Sequence, residues 1–293
     1  MWAFRNFPTL VQFFEAARRL GFERVELNHQ VNSAMLAGID LTGTTISSIH
    51  EPCPADISVN ELKARDWLIS ATDEANRAQG VLAVKRSIDF ASALGVRTLV
   101  VHAGDVRSSW QTEKDLCASY RVGQAQSQSY RQLQDRLRQE RNALAAPRFS
   151  AVQQSLKELL AYAAPRGVCL GLENRFHYMD IPSPDEMAQL LALGAPEALG
   201  FWLDTGHALV LERLGLFAQA EWLERFSGRI VGIHLHDVTG IDDHGAPGFG
   251  EADFDHLCGY VPKHAVRTFE VKPGVNAAQL QESLRFVAQK GCL

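Results

Sequence analysis

The feature that most constrains the fold is a regular alternation of short apolar segments with longer amphipathic ones. Thr98–Val101 is almost wholly apolar, which is typical of parallel strands covered by helices on both faces. We predict seven strands, at Arg24–Leu27, Thr44–His50, Arg97–His102, Val168–Glu173, Leu199–Asp204, Ile230–His236 and Arg267–Val271. The amphipathic segments predict helices at Leu10–Leu20, Val81–Leu94, Ala151–Ala164, Pro184–Leu193, Ala218–Phe226 and Ala277–Lys290.

A repeat of strand and helix requires one more strand at the start of the chain, because a helix precedes the first strand listed. We place this opening strand in Trp2–Asn6. Eight β/α units in 293 residues predict an α/β fold, a (β/α)₈ TIM barrel in which residues 1–293 form a single domain. The alternative is an open doubly wound sheet. We prefer the barrel because no glycine-rich phosphate loop follows an early strand.

One stretch, residues 104–147, does not fit this repeat, and we interpret it as a helical insertion after the fourth strand. From Arg121 to Arg148 it carries six Arg against Asp135 and Glu140. The plainer interpretation is a solvated helical flap. The alternative is a lid that covers the site and contacts an anionic group of the substrate.

Charge and cysteine content narrow the class of protein. Lys and Arg total 29 against 34 Asp and Glu, a net charge of −5, so we expect no nucleic-acid partner. No apolar run reaches the 18 residues of a membrane span, and Met1–Arg5 lacks the order of a signal peptide. We expect reduced thiols in a cytoplasmic protein, because the five cysteines form no CxxC pair: Cys53, Cys117, Cys169, Cys258 and Cys292.

Side chains that commonly bind metals stand at the end of one predicted strand after another. They are His50, His102, Glu173, Asp204, His234 and Glu270. In a barrel all strands run in one direction, so these ends meet at one mouth. Alternation along a strand supports this arrangement. If His234 and Glu173 point inward, the small residues Gly232 and Gly171 do too, while the neighbouring leucines and isoleucines face the helices.

Three imidazoles and three carboxylates this close together require a cation, because clustered carboxylates repel one another. Nitrogen and oxygen ligands without thiolate suit one divalent cation such as Mn²⁺, Co²⁺, Zn²⁺ or Mg²⁺. Two local motifs add further polar side chains. Leu203–His207 adds His207, and the run from His234 to Gly250 adds His236, Asp242 and His244.

With these motifs the chain resembles the xylose isomerase-like TIM barrel superfamily. That group contains the sugar phosphate isomerase/epimerase type and the endonuclease IV type, AP endonuclease family 2. The resemblance runs from the Val25–Leu27 strand to Glu270–Gly274, and its most specific parts are Leu172–Asn174, Leu203–His207 and the His-x-His-Asp run with the glycine-rich loop after it.

The resemblance implies roles for these residues. Four match the ligands of the shared metal: Glu173, Asp204, His234 and Glu270. Glu173 and Glu270 also match the acid/base pair of ketose epimerases. Five more match positions at which the endonuclease branch binds two further ions, which would make up to three Zn²⁺: His50, His102, His207, Asp242 and His244.

The first functional hypothesis is a metal-dependent isomerase or epimerase acting on a sugar, sugar phosphate or related polyol. Glu173 and Glu270 would transfer the proton through a metal-stabilised enediolate. Candidate substrate-binding residues are Glu26, Arg175, His207, His236 and Lys272. Glu26 and Lys272 are equally consistent with a local salt bridge. Structural roles are favoured for the histidines that close no strand, His29, His177, His256 and His264.

Two alternatives remain open. One is an endonuclease IV-like phosphodiesterase acting on abasic DNA, with a multi-zinc site. Against it, Glu51–Pro54 lacks the aromatic and apolar residues that this branch inserts into DNA. The epimerase pattern also has a departure, since Asp237–Gly240 lacks the substrate Arg of those enzymes. The second alternative is a lyase like a keto-inositol dehydratase, or a non-catalytic sugar-binding barrel. The resemblance also allows a homodimer.

Overall fold

The computed structural model describes residues 2–41 and 44–293. Its centre is one sheet of seven parallel strands that curves into a nearly closed TIM barrel, with helices around it. In sheet order the strands are β1 (Val25–Leu27), β2 (Ile46–His50), β3 (Thr98–Val101), β4 (Cys169–Glu173), β5 (Leu199–Asp204), β6 (Ile230–Leu235) and β9 (Val266–Phe269). A separate antiparallel hairpin, β7 (Asp237–Thr239) and β8 (Asp242–Gly245), lies between β6 and β9 in the chain.

The helices cover the outside of this sheet. They are α1 (Ala3–Asn6), α2 (Leu10–Leu20), α3 (Ser33–Leu36), α4 (Val59–Ala64), α5 (Glu74–Ala93), α6 (Gln111–Arg121), α7 (Gln128–Ala163), α8 (Pro184–Leu191), α9 (Thr205–Arg213), α10 (Gln219–Phe226), α11 (Phe254–Cys258) and α12 (Ala277–Gln289). Short 3₁₀ turns at Ala164–Arg166 and Ser227–Arg229 precede β4 and β6. Among the residues that the structure describes, no helix is both long and apolar enough to cross a membrane.

The seven strands predicted after the first helix are confirmed to within about two residues at each end. The predicted opening strand at Trp2–Asn6 is wrong, because Ala3–Asn6 forms α1. Two side chains fix this turn beside the loop that follows β9. The Trp2 indole donates to the Val275 carbonyl (2.7 Å), and the Asn6 amide donates to the carbonyls of Trp2 and Pro273. As a result β1 and β9 remain the two edges of the sheet.

The Trp202 side chain fills the barrel interior beside Gly171 and Gly232. The Trp202 side chain is fully buried and points inward from β5. A Cβ atom added to Gly232 would lie 2.0 Å from the Trp202 ring, and one added to Gly171 would lie 3.2 Å from it. Both glycines therefore line the interior, as the alternation predicted, and Glu173 and His234 point to the same side two residues later.

The insertion is helical, but residue 147 is not a structural boundary. α7 runs through Pro147 and includes most of the barrel helix predicted at Ala151–Ala164. Two of its basic residues bind acidic partners within the barrel. Arg141 makes a bidentate ion pair with Glu186 (2.5 and 3.1 Å), and Arg148 pairs with Asp66 (2.8 Å). Both guanidinium groups are buried, so they tie α7 to the barrel instead of facing a ligand.

The expectation that all thiols are reduced is not met, because Cys258 and Cys292 form a disulfide. α12 brings the end of the chain back against α11, where Lys290 also pairs with Asp255 (2.5 Å). The two cysteines, 34 residues apart in sequence, thereby have Cα atoms 4.9 Å apart. Cys53, Cys117 and Cys169 are free.

Candidate active site

Four donor side chains from different strands meet at the carboxyl ends of the barrel strands. Glu173 ends β4, Asp204 ends β5, His234 lies near the end of β6, and Glu270 directly follows β9. All four are buried, and one donor atom from each lies within 4.8 Å of the others. We call these four residues the strand-borne group.

His234 lies at the centre of the strand-borne group. Its Nδ1 lies 2.7 Å from Glu173 Oε1, 3.1 Å from Glu270 Oε2 and 3.7 Å from Asp204 Oδ2. Its Nε2 lies 3.1 Å from Glu26 Oε1. Burial alone would lower the pKa of His234, but the charges of Glu270 and Glu26 and hydrogen bonds with the other carboxylates outweigh it. They raise the pKa well above its usual value. Both ring nitrogens of His234 thus lie within hydrogen-bond distance of a carboxylate.

Neighbouring positive groups favour the ionised form of the carboxylates in the strand-borne group. Burial would raise the pKa of Glu173, but the Arg175 charge and hydrogen bonds with His102 and His234 hold that pKa well below its usual value. The pKa values of Asp204 and Glu270 are likewise lowered, against burial, by neighbouring imidazoles. Both glutamates can therefore accept a proton or bind a cation.

A second set of donors, His50, His102 and Glu173, adjoins the first. His102 Nε2 lies 2.8 Å from Glu173 Oε2 and 3.1 Å from His50 Nε2. Burial and the charge of Arg175 lower the pKa of His102 well below its usual value. One donor atom from each of the three residues lies within 4.8 Å of the others. The sequence predicted all three.

A third set depends on the β7–β8 hairpin, and we call it the hairpin-borne group: Asp204, His207, His236 and His244. The rings of His236 and His244 stack with centroids 4.2 Å apart. His236 Nε2 lies 2.8 Å from Asp204 Oδ1, and the His244 backbone N–H donates to His236 Nδ1 (2.9 Å). His207 is the third residue of α9, and its backbone N–H donates to the Asp204 carboxylate (2.7 Å).

A buried carboxylate holds the loop that carries this hairpin. The Asp237 side chain accepts hydrogen bonds from the backbone N–H groups of Val238, Gly248, Gly250 and Ala252, at 2.8 to 2.9 Å. Gly250 has no room for a side chain here, since an added Cβ would lie 2.4 Å from the Asp237 carboxylate. The glycine-rich segment of the sequence is thus wrapped around one acidic side chain.

Two predicted site residues lie outside these groups. Lys272 and Asp242 are exposed and pair with each other at 2.5 Å. The register of the hairpin turns Asp242 outward and its neighbour Asp243 inward. Asp243 lies 2.9 Å from His244 Nδ1 and 3.8 Å from His207 Nε2. We predicted Asp242 at the site, and in the structure Asp243 is the residue that lies beside His207 and His244.

Two other predicted substrate-binding residues are at the mouth. Glu26 accepts a hydrogen bond from Ser48 (2.7 Å) and reaches His234, so it does not pair with Lys272. Arg175 is largely buried, with 14% of its side chain exposed, and its guanidinium lies on Glu173 and 2.5 Å from His102 Nε2. Both side chains therefore border the strand-borne group.

Three residues near the site were not predicted. Asp243 is one. His29 is half-buried with its ring 5.8 Å from that of His50, and desolvation and the His50 charge lower its pKa to about 4. Asn174 exchanges two hydrogen bonds with the backbone of Asp204 (2.7 and 2.9 Å). The sequence signal for Asn174 was its position directly after Glu173. The signal for His29 was its position two residues after β1.

The strand-borne group fits a divalent cation. Three buried, ionised carboxylates and one imidazole provide oxygen and nitrogen donors without sulfur, which suits a hard or borderline ion. Carboxylates packed this closely repel one another unless positive charge is present. Asn174 and Arg175 hold the donors in place as outer-shell partners do in metal sites.

A family model described as xylose isomerase-like TIM barrel matches residues 14–289. Among curated proteins, the uncharacterized protein y4fM of Sinorhizobium fredii (strain NBRC 101917 / NGR234) is 23% identical over 249 residues. That alignment covers 83% of this chain and 65% of the relative, so the relative is the longer protein.

Solved structures share the fold at low sequence identity. The structure of L-ribulose 3-epimerase is 15% identical with a TM-score of 0.66, over 96% of this chain and 88% of that one. The IOLI protein with a bound zinc atom is 15% identical with a TM-score of 0.65, over 97% and 93% of the two chains.

Proposed function

The chain belongs to the xylose isomerase-like TIM barrel family, and from this premise we propose that it is a divalent-metal-dependent isomerase or epimerase. Its substrate would be a sugar, a sugar phosphate or a related polyol. The reaction would be a proton transfer between carbon atoms of the substrate or between the two faces of one carbon, carried out by glutamate side chains.

The observation that carries this proposal is the position of two ionised glutamates on one imidazole nitrogen. Glu173 lies 2.7 Å and Glu270 3.1 Å from His234 Nδ1, and the two come from strands separated by two others in the sheet. A substrate bound at the mouth would thus lie within reach of both carboxylates. A reaction that removes a proton and returns it needs this arrangement of two bases.

The strand-borne group would hold the cation: Glu173, Asp204, His234 and Glu270. When bound, the cation polarises the substrate carbonyl and stabilises negative charge on the adjacent oxygen atoms. The fold shared with a structure named as L-ribulose 3-epimerase supports this assignment, as does the zinc atom bound in another structural neighbour, the IOLI protein.

The surrounding residues would orient Glu173, bind hydroxyl groups of the substrate and exclude water. Arg175 favours the unprotonated form of Glu173 and fixes its orientation through their ion pair. Glu26 presents a carboxylate beside His234, where hydroxyl groups of a polyol would bind. Both ring nitrogens of His236 are already hydrogen-bonded, to Asp204 and to the His244 backbone, so His236 would position Asp204. Burial of the donors excludes water from the carbon that loses its proton.

The test combines a metal count with isotope exchange. Elemental analysis of the purified protein should give one divalent ion per chain bound tightly enough to survive dialysis. Incubation with a panel of ketoses and ketose phosphates in heavy water should place deuterium on carbon. Glu173→Gln and Glu270→Gln should each abolish this exchange, while the exposed control Glu224→Gln should retain it.

Two results would contradict the proposal. Deuterium exchange that persists in both glutamine variants would mean that other groups transfer the proton. Three tightly bound zinc ions per chain would instead favour a phosphodiesterase, since the three donor groups at this mouth have the number that such a cluster needs.

A further inference from the structure

His29 lies at the mouth of the barrel although it closes no strand. It follows β1 by two residues, and the edge of its ring meets the His50 ring, with centroids 5.8 Å apart. The His50 ring in turn stacks on the ring of His234, with centroids 5.6 Å apart. His29 thus belongs to a row of three imidazoles that ends in the strand-borne group.

A backbone turn holds His29 at this place. The Asn28 side chain accepts the Gln30 N–H (3.1 Å), and the Asn28 carbonyl accepts the Val31 N–H (2.9 Å). These bonds are typical of a turn that begins with asparagine, and His29 is its second residue. The Val31 carbonyl also accepts the Ala55 N–H (2.7 Å), which joins the turn to the segment after β2. The backbone of His29 is therefore held without help from its imidazole.

Neither ring nitrogen of His29 is bonded to the protein. Nδ1 is buried and has no hydrogen-bond partner. Nε2 forms no hydrogen bond with residues 2–41 or 44–293 either, but it is not buried, so it lies on the part of the ring that solvent reaches. A buried N–H without an acceptor costs about 1–3 kcal/mol. The proton of the neutral ring therefore resides on Nε2, which presents a donor at the mouth.

The other histidines at the mouth differ from His29 in this respect. Each of them has a ring nitrogen within 3.1 Å of a protein oxygen or nitrogen atom: His50, His102, His207, His234, His236 and His244. Their rings are oriented by these contacts. The fold holds His29 beside them and leaves its accessible nitrogen unpaired, so this donor is free to bind a ligand that enters the mouth.

We propose that His29 is a substrate-binding residue whose Nε2–H donates a hydrogen bond to an oxygen atom of the bound sugar. This inference rests on the proposed isomerase or epimerase function and extends its binding residues to the loop after β1. A neutral imidazole offers one donor and no positive charge. It therefore suits a hydroxyl or carbonyl oxygen and not a phosphate group, and His29 should bind an uncharged part of the substrate.

Three variants of the full chain separate the two ring nitrogens. His29→Phe keeps a ring beside His50 and removes both nitrogens. His29→Gln places an amide near the position of Nε2, whereas His29→Asn places one near Nδ1. His264→Gln, at an exposed histidine, is the control. Deuterium exchange with D-fructose and L-ribulose gives kcat and KM at pH 8, where an imidazole of ordinary pKa is neutral. Thermal melts of all variants measure stability.

His29→Phe should raise KM by about tenfold and retain kcat, because a bond present in both ground and transition state is lost. His29→Gln should restore most of the affinity, and His29→Asn should not. The melting temperature of His29→Phe should be unchanged or raised, since replacing an unpaired polar group by an apolar one of similar shape is neutral or stabilising.

A second measurement does not depend on turnover. Xylitol has no carbonyl group and cannot react, and it should shift the ¹⁵N resonance of His29 Nε2 while Nδ1 stays unprotonated. An unchanged KM in His29→Phe, with exchange retained in the wild-type protein, would overturn this inference alone, as would a large loss of stability in that variant. Absence of exchange in the wild-type protein with every ketose and ketose phosphate would overturn the proposed function, and this inference with it.

Discussion

The strand-borne and hairpin-borne groups share Asp204 but are built in different ways. In the first, every donor stands at or next to the end of a barrel strand, so the sheet itself fixes the spacing of the donor atoms. In the second, His244 reaches the site only because the β7–β8 hairpin folds back over α9. That hairpin depends in turn on the hydrogen bonds of Asp237.

The two groups therefore differ in how firmly their donor atoms are held in place. A donor on a strand end moves only if the barrel moves, and barrel strands are the most cooperative part of such a fold. A donor on a hairpin can be displaced by local loss of a few hydrogen bonds. We therefore expect the strand-borne group to keep its geometry under changes that disorder the hairpin-borne group, and the following variants test that expectation.

The largest effect is expected from Asp204→Asn, which alters both groups together. Asparagine retains the capping of α9, because it accepts the His207 N–H as well as aspartate does, so the fold should persist. The lost charge should lower cation affinity by at least about 100-fold and remove proton exchange. Metal titration beside a circular-dichroism melt measures both; an unchanged affinity would show that Asp204 is no ligand.

Asp237→Asn should affect the hairpin-borne group alone. The amide turns a donor toward backbone N–H groups, which should lower the free energy of unfolding by about 3 kcal/mol. The strand-borne group should still bind its cation. Asp242→Asn is the matched control on the same hairpin, where its exposed ion pair with Lys272 contributes less than about 1 kcal/mol. Similar losses in both variants, measured by urea titration, would contradict the anchoring role.

His244→Gln probes the hairpin-borne group without disturbing its anchor. Removal of the ring that stacks on His236 should lower proton exchange by about tenfold, the size typical of residues around a metal. Elemental analysis should still find the strand-borne ion. Complete loss of that ion would mean that the two groups form one site.

The smallest effect is expected at His177, which lies outside both groups. Its Nδ1 is 2.7 Å from the buried carboxylate of Glu113 in α6. Burial would lower the pKa of His177, but the hydrogen bond with Glu113 and the charge of Asp180 raise it above its usual value. A raised pKa in the folded state stabilises the protein below the unfolded value of about 6.5, and this contribution is lost as pH rises through the folded pKa.

Because 44% of the His177 side chain is exposed, solvent screens most of this interaction. His177→Gln should therefore lower the melting temperature by only about 1–2 °C at pH 5.5 and leave it unchanged at pH 9.5. Thermal melts of both proteins at the two pH values provide the measurement. A deficit that grows toward high pH would have the opposite sign and would rule out a charged imidazole.

The sequence was sufficient where local periodicity decides the structure. Apolar runs located all seven strands of the sheet, and the polar residue at each strand end identified the strand-borne group, because parallel strands end at one mouth. The small residues Gly171 and Gly232 even indicated which face is inward, since only glycine leaves space for the Trp202 ring.

The sequence failed where contacts between distant segments decide. Whether Asp242 or Asp243 faces the site depends on the register of a hairpin that a run of polar residues does not reveal. The helical turn of Ala3–Asn6 depends on carbonyl groups some 270 residues away. The disulfide likewise depends on how α12 returns to α11. These interactions are non-local, so no pattern in a short window can contain them.

The Asp204 carboxylate belongs to two donor groups, and this affects how cations would bind at the site. A cation bound in the strand-borne group would draw on the charge of Asp204 and so change the affinity of the hairpin-borne group. By thermodynamic linkage, occupancy of the second would change the first by the same factor. The titration curves of two ions would then depend on each other. Neither curve could be assigned to one donor group alone. Their shape would report the coupling energy held by a single aspartate.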